Sequence, residues 1–351
     1  MHRVSPILIR LVLTLCMAAC GSPIAGAQQP GSEIPEVDEE EVEEADPVTL
    51  KPGQYLWHPE RAPAGPVVVL VNLTDQLAYV YRNGVRIGLT TVSTGKAGHS
   101  TPTGVFTILQ KQQYHRSTLY NSAPMPFMER LTWDGVALHA GGLPGYPSSH
   151  GCVHLPRKFS QLLYEVTSVG STVVITDAHS GPEDVLHPGL LMPADAEPGQ
   201  PFDGAAASDG VPIWRPERAP AGPVNVLISA ADRLIYVYRN GVLIGRSQVQ
   251  IAEPAKPLGA GVFTLLDGPV DLPNTAGPGQ PVPRWMAVDL RSTVKSAEVM
   301  RRVKLPPAFR QLVDGILHAG TTLMVTDLPA TEETKTPQDF TVMASVPVPA
   351  R

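Results

Sequence analysis

Short apolar runs and two-residue alternation dominate the folded part of the chain, and both read as strands. Val67 to Val71 is a β-branched run. Gln76 to Tyr81 alternates before Asn83-Gly84, a strong hairpin signal, so Val85 to Val92 is predicted to return antiparallel. Gly104 to Leu109, Val136 to Leu138 and Thr172 to Thr176 predict further strands. One helix is predicted from Pro156 to Val166, with proline in its first turn and Phe159, Leu162, Leu163 and Val166 on one face. The pattern predicts a mainly β fold, a sandwich with an accessory helix.

The pattern then repeats. Trp57 to Gly88 and Trp214 to Gly245 are identical at 23 of 32 positions at an offset of 157. The offset holds for Gly104-Val105-Phe106-Thr107 against Gly261-Val262-Phe263-Thr264. Further on it becomes 150, where Phe159-x-Gln161-Leu162 meets Phe309-x-Gln311-Leu312 and Thr176-Asp177 meets Thr326-Asp327. Two tandem domains of one fold are expected, at 56–180 and 211–330, joined by a linker at 181–210 rich in Pro, Gly, Ala and Asp. A disordered tail is expected at 331–351.

The N-terminus changes the compartment. His2, Arg3 and Arg10 precede a short apolar run, Leu11 to Ala19, and the pattern Ala25-Gly26-Ala27 follows. This reads as a signal peptide at 1–27, so the protein is expected in the periplasm or cell envelope. Met17-Ala18-Ala19-Cys20 offers a lipid anchor at Cys20 as the alternative. Residues 36–46 hold eight carboxylates in eleven positions, so 28–55 is expected to be a disordered acidic linker. With 37 Pro and 31 Gly, many turns are expected. The net charge of −6 and the lack of a basic stripe exclude nucleic acid as a partner.

Cleavage after Ala27 removes Cys16 and Cys20 and leaves Cys152 as the sole thiol. A single cysteine in an oxidising compartment forms no internal disulfide; it is either an inert core thiol or a reactive one. Its surroundings favour reactivity. His139 closes a predicted strand, and the Gly/Pro-rich loop after it can fold back to bring Cys152 within hydrogen-bond reach. The thiol is then expected to ionise against the imidazole, aided by a helix starting just after Cys152. Gly151 permits a tight turn, and the amides of Gly151 and Cys152 can meet an oxyanion. His139, His150, Cys152 and His154 are also legitimate zinc ligands, although one-residue spacings suit a tight turn better. No metal and no cofactor are expected. His99 and His115 read as surface or rim residues, and Trp133 and Tyr146 as packing residues.

Ser149-His150-Gly151-Cys152-Val153, with His139 upstream and with Ser93-Thr94-Gly95 and Thr101-Pro102-Thr103-Gly104, resembles the L,D-transpeptidase (YkuD-type) catalytic domain over roughly residues 56–178. The resemblance implies Cys152 as nucleophile and His139 as proton acceptor and donor. Ser149, His150, Gly151 and His154 would shape the oxyanion and substrate pocket. It implies cleavage of a peptidoglycan tetrapeptide stem after diaminopimelate, release of D-Ala, and transfer of the acyl group to an amine. That amine belongs to another stem or to a wall-anchored protein. Two features depart from the family: the 13-residue gap from His139 to Cys152 is short, and His154 stands where Arg or Asn is common.

The second copy lacks this chemistry. Met286-Ala287-Val288-Asp289 aligns with Val136-Ala137-Leu138-His139, and Arg301-Arg302-Val303 with Gly151-Cys152-Val153. A degenerate lobe is expected, with Arg301, Arg302 and Lys304 either contacting acidic glycopeptide or merely structural. Two rival functions remain at this point. One is a non-catalytic peptidoglycan-binding protein; the other is an L,D-peptidase using the same cysteine with water as acceptor.

Overall fold

The apolar runs become sheets in a computed structural model that describes residues 38–43, 47–118, 122–132, 135–177, 182–186, 212–268, 284–290, 296–330 and 343–344. The expected signal peptide, the lipid-anchor alternative at Cys20, Trp133 and most of the expected linker and tail lie outside these residues.

In the first lobe an eight-stranded sheet is ordered Glu40–Glu41, Gln54–Trp57, Val85–Thr91, Leu77–Arg82, Val67–Asn72, Thr172–Thr176, Gly104–Thr107, Met343–Ala344. A four-stranded sheet, ordered Val153–Leu155, Ala137–Ala140, Met128–Arg130, Gln110–Gln112, and the helix Arg157–Val166 pack on it. The hairpin after Leu77–Arg82 turns through Asn83 and Gly84, both at positive φ (51° and 80°), as that dipeptide favours. Lys111 fastens the helix to the small sheet. Its ammonium donates to the Tyr164 and Thr167 carbonyls at the helix end, 2.6 and 2.7 Å away, and stands 3.7 Å from the buried Glu129 carboxylate.

The second lobe has its own eight-stranded sheet, ordered Pro182–Leu186, Arg284–Leu290, Ala260–Leu265, Thr322–Thr326, Val224–Ser229, Leu234–Arg239, Val242–Gln248, Ile213–Trp214, and the helices Ser296–Arg302 and Pro307–Asp314. Its pairings follow the sequence offsets. Val69 pairs Val173 in parallel, and Val226 pairs Leu323 in the same way. The strand irregularity between Val80 and Tyr81 reappears between Val237 and Tyr238.

Both faces of each large sheet are covered, which is why the strand at 67–72 lacks alternation. Val67, Val69 and Val71 turn to their own lobe's core with Phe159 and Leu163. Leu70, Val105 and Val174 join Leu227, Tyr236, Val262, Val288 and Met324 of the other lobe. Equivalent positions meet there: the Thr172 and Thr322 hydroxyls are 2.6 Å apart. Gly170 lies against Pro223, and Gly320 against Pro66, a reciprocal pair of contacts. The lobes thus pack in the manner of a two-fold dimer within one compact unit.

The structure corrects three expectations. Part of the acidic segment is docked rather than free. Glu40–Glu41 pairs in parallel with Gln54 and Tyr55, and the Glu39 carboxylate accepts the amides of Arg157 and Lys158. The helix starts at Arg157 behind Pro156, which offers no side-chain cap, so its first amides and dipole draw a carboxylate. Second, two segments read as linker and tail supply strands: Pro182–Leu186 runs antiparallel to Arg284–Leu290, and Met343–Ala344 pairs with Gly104 and Val105. Third, Asp289 does not occupy the place of His139. It pairs with Gly261 inside the large sheet, whereas His139 belongs to a separate small sheet.

Replacing Thr172 and Thr322 by valine, singly and together, should show a coupling of about 1 kcal/mol in urea denaturation, the worth of one buried hydrogen bond. Strictly additive effects would mean that the lobes do not meet at this pair.

Candidate active site

Four residues on two neighbouring strands define the site. Val153–Leu155 runs parallel to Ala137–Ala140, with Val153 opposite Leu138 and His154 opposite His139. Leu138 and Val153 enter the lobe core, so His139 and His154 share the opposite face. Their rings meet nearly edge to face, with centroids 4.8 Å apart. Cys152 immediately precedes the strand and packs against Ala137, two residues before His139, and against Met125 and Met128.

The loop that carries Cys152 is held by the chain upstream. Ser93 and His154 exchange main-chain hydrogen bonds of 3.1 and 2.9 Å. The amides of Ser148 and Ser149 both donate to the Thr94 carbonyl, and the Lys96 amide donates to the Ser149 carbonyl. The Thr101 hydroxyl accepts from the Gly95 amide at 2.8 Å and donates to the Gly151 carbonyl at 2.9 Å. Ser149 is buried, and its hydroxyl donates to the Cys152 carbonyl at 2.6 Å. Gly151 turns at φ 112°, a conformation that side chains with a Cβ rarely adopt. Thus Ser93-Thr94-Gly95 and Thr101, which carry no reacting group, fix the turn before the thiol.

His139 is only 5% exposed, and its Nδ1–H donates to the Ala140 carbonyl at 2.9 Å. Nε2 is therefore the nitrogen left to accept a proton. Burial, reinforced by the neighbouring His154 and His115, pushes its pKa down to about 3. His154 is shifted in the same direction, again chiefly by burial, while its Nδ1–H donates to the Gly142 carbonyl at 3.2 Å. The Cys152 thiol is half-buried and donates to the Gly135 carbonyl at 3.4 Å.

Two further expectations change. The Gly151 amide donates to Ser149 Oγ at 3.1 Å, so it is engaged within the loop rather than waiting for an oxyanion. The helix starts only at Arg157, after an intervening strand, and its first amides are taken by Glu39, so its dipole does not serve the thiol. His150 is exposed and lies 4.7 Å ring to ring from His99, apart from the His139–His154 pair. His115 is half-buried, donates to Gln112 Oε1 at 2.6 Å, and is near enough to influence His139. Tyr146 is 60% exposed, so it is not a packing residue. Among the described residues, no group of three or more His, Cys, Asp or Glu side chains is placed to hold a metal ion.

Residues 66–175 match the family model described as YkuD, the L,D-transpeptidase catalytic domain. The YkuD match ends before the second lobe. No curated protein matches the chain. Among solved structures, an L,D-transpeptidase (Yku) from Stackebrandtia nassauensis is 34% identical, covering 32% of this chain and 56% of its own, with a TM-score of 0.29. An L,D-transpeptidase from Mycobacterium smegmatis is 23% identical over 32% of this chain and 59% of its own, with a TM-score of 0.31. L,D-transpeptidase 3 from Mycobacterium tuberculosis, solved with a faropenem-derived adduct, is 20% identical over 32% and 60%, with a TM-score of 0.30. The chain thus spans somewhat over half the length of these solved structures.

Outside the YkuD match, Arg302 shows what stands in the second lobe at the position aligned with Cys152. Gln250 pairs with Lys304 there as Ser93 pairs with His154. The Arg302 side chain is buried, and its guanidinium donates to the carbonyls of Ala252, Glu253, Lys256 and Pro257. Of the two alternatives left open for Arg302, these contacts fit the structural one: it is an internal clamp. Arg301 and Lys304 are exposed.

Arg302→Met should destabilise the fold by about 2 kcal/mol or more, because it strips a charged donor from several carbonyls at once; denaturant unfolding measures it, and an unchanged midpoint would refute the clamp. His139 carries a pH signature. Its ordinary pKa near 6.5 falls to about 3 on folding, so below pH 6.5 the unfolded chain binds a proton that the folded chain refuses. Stability present above pH 6.5 is therefore lost as pH falls toward 3. Glu129, raised to about 7 by burial, acts with the opposite slope between about 4.5 and 7, so the comparison must be made against a variant. His139→Gln should flatten the loss between pH 6.5 and 3 relative to wild type, whereas parallel curves would count against a neutral buried imidazole.

Proposed function

We propose that the protein is an exported cysteine-dependent L,D-transpeptidase of the cell envelope, acting on peptidoglycan stem peptides through its first lobe. The observation that supports this most is the strand register that sets His139, held in one tautomer, on the face that Cys152 joins. In this reading the Cys152 sulfur attacks the carbonyl carbon of the diaminopimelate residue, at its amide bond to the terminal D-Ala of a tetrapeptide stem. The thiol proton passes to Nε2 of His139 as the sulfur–carbon bond forms. Collapse of the tetrahedral intermediate breaks the bond to D-Ala, whose amine leaves with that proton. An acceptor amine, from a second stem or from a wall-anchored protein, then attacks the thioester. It gives its proton to His139, which returns it to the departing sulfur.

The low pKa of His139 suits this cycle, because a neutral imidazole is ready to accept the thiol proton as the sulfur attacks. With the Gly151 amide engaged by Ser149, donors for the oxyanion come from the rest of the Ser149–Cys152 turn. Ser149, His150, Gly151 and His154 form or support the substrate pocket. The second lobe, read as a duplicated and degenerate copy, supports the first through the shared sheet faces.

Intact-mass measurement after incubation with a tetrapeptide muropeptide or a carbapenem tests the reading. Wild type should gain one acyl adduct, and Cys152→Ala none. The absence of any adduct on wild type would instead favour a peptidoglycan-binding protein, while hydrolysed tripeptide as the main product would favour a peptidase.

A further inference from the structure

His154 is more tightly built into the site than a residue that merely lines a pocket. Its main chain exchanges hydrogen bonds with Ser93, and its Nδ1–H donates to the Gly142 carbonyl at 3.2 Å. Its ring lies against the backbone of the turn that follows His139. A Cβ on Gly141 would come within 2.5 Å of His154 Cγ, so that position has room only for glycine while the ring stays put. The same turn donates the Gly141 amide to the Leu155 carbonyl at 3.1 Å. The carbonyl that fixes the His139 tautomer, that of Ala140, opens this turn. Two imidazoles thus hang on carbonyls two residues apart, with their rings in contact.

We propose that His154 is a positioning residue for His139: it holds the Ala140–Gly142 turn in the form whose first carbonyl keeps His139 as the Nδ1–H tautomer, with Nε2 as the base. The proposal rests on His139 being the base of the transpeptidase reading and extends it to a residue that acts through His139. The ring contact adds a second effect. Two imidazolium ions 4.8 Å apart in a dry setting repel strongly, so His154 remains neutral while His139 carries the proton in mid-cycle. His115 faces His139, His150 acts on His154, and the Cys152 thiol shares the face. None of these is an acid that would offset a second positive charge.

Three variants and two readouts test this. His154→Leu removes both the donor and the ring. Gly141→Ala keeps the imidazole but forces it from the turn. His154→Asn places an amide donor where Nδ1 was. The first readout is the His139 tautomer in the substrate-free protein, from long-range proton–nitrogen correlation across the imidazole ring. The second is single-turnover acylation by a carbapenem over a pH series. His154→Leu and Gly141→Ala should each lose the fixed tautomer and acylate about 10- to 100-fold more slowly, with half-saturation little moved, as expected for a displaced reacting group. His154→Asn should keep the tautomer and recover most of the rate. A wild-type tautomer, rate and pH profile in His154→Leu would overturn the proposal, as would a His154→Asn variant that folds normally but has lost the tautomer. If His154→Leu does not fold, Gly141→Ala and His154→Asn decide. If wild type forms no adduct, the transpeptidase reading fails, and the tautomer comparison alone decides the role of His154.

Discussion

The parallel pairing of Val153–Leu155 with Ala137–Ala140 is the constraint on which the site depends. A shift of one residue would send His154 to the core face and Val153 to the solvent face, separating the two imidazoles. The register is held from both sides. Leu138, Val153 and Leu155 are fully buried in the lobe core, and Ser93 grips the outer edge at His154. Only with that pairing in place do the Ala140 and Gly142 carbonyls find the two Nδ1–H groups. The short gap between His139 and Cys152 serves the same end, because the loop leaves one strand and returns directly to its neighbour.

The second lobe matters to the first through the sheet that carries neither Cys152 nor His139. Leu70, Val105 and Val174 would be exposed on a bare lobe, and apolar faces of that kind do not stay open in a monomer. The contact joins equivalent positions, as Thr172 with Thr322, which is how two copies of one surface satisfy each other. A lobe without a nucleophile thus has a physical role that needs no ligand. It completes the burial that lets the strand at 67–72 be apolar on both faces.

Much of this was legible in the residues. The β-branched run at 67–71, the Asn83-Gly84 turn and the apolar face of the helix at 157–166 are local signals, and each element formed where its pattern lies. Cys152 and His139 were marked by their types and by the Ser-His-Gly before the thiol. The strands Gln110–Gln112 and Met128–Arg130 were not found, because each is too short to show a period and each exists through its partner. Glu39 at the start of the helix was hidden for a different reason: its caps lie 118 and 119 residues away, and a run of carboxylates carries no mark of which one is used. The contact of the Cys152 thiol with the Gly135 carbonyl was hidden as well, because the two residues lie 17 apart and meet only after folding.

The second lobe keeps the frame of the first while the residues aligned with Cys152 and His139 differ. Equal spacing in sequence matched Lys304 with His154 correctly, because both sit in the same bridge to the preceding strand. It failed for Asp289, because the strand that holds it joined the large sheet, while Val303–Lys304 pairs with Gln250–Ile251 in a separate two-stranded sheet. Where the thiol would stand, a guanidinium now gathers the carbonyls of residues 252–257. In the first lobe the corresponding loop is held by small hydroxyls and amides, through Thr101, Ser149 and Gly151. One large side chain thus ties the loop of the second lobe, whereas the loop of the first is tied by its backbone and its smallest polar side chains.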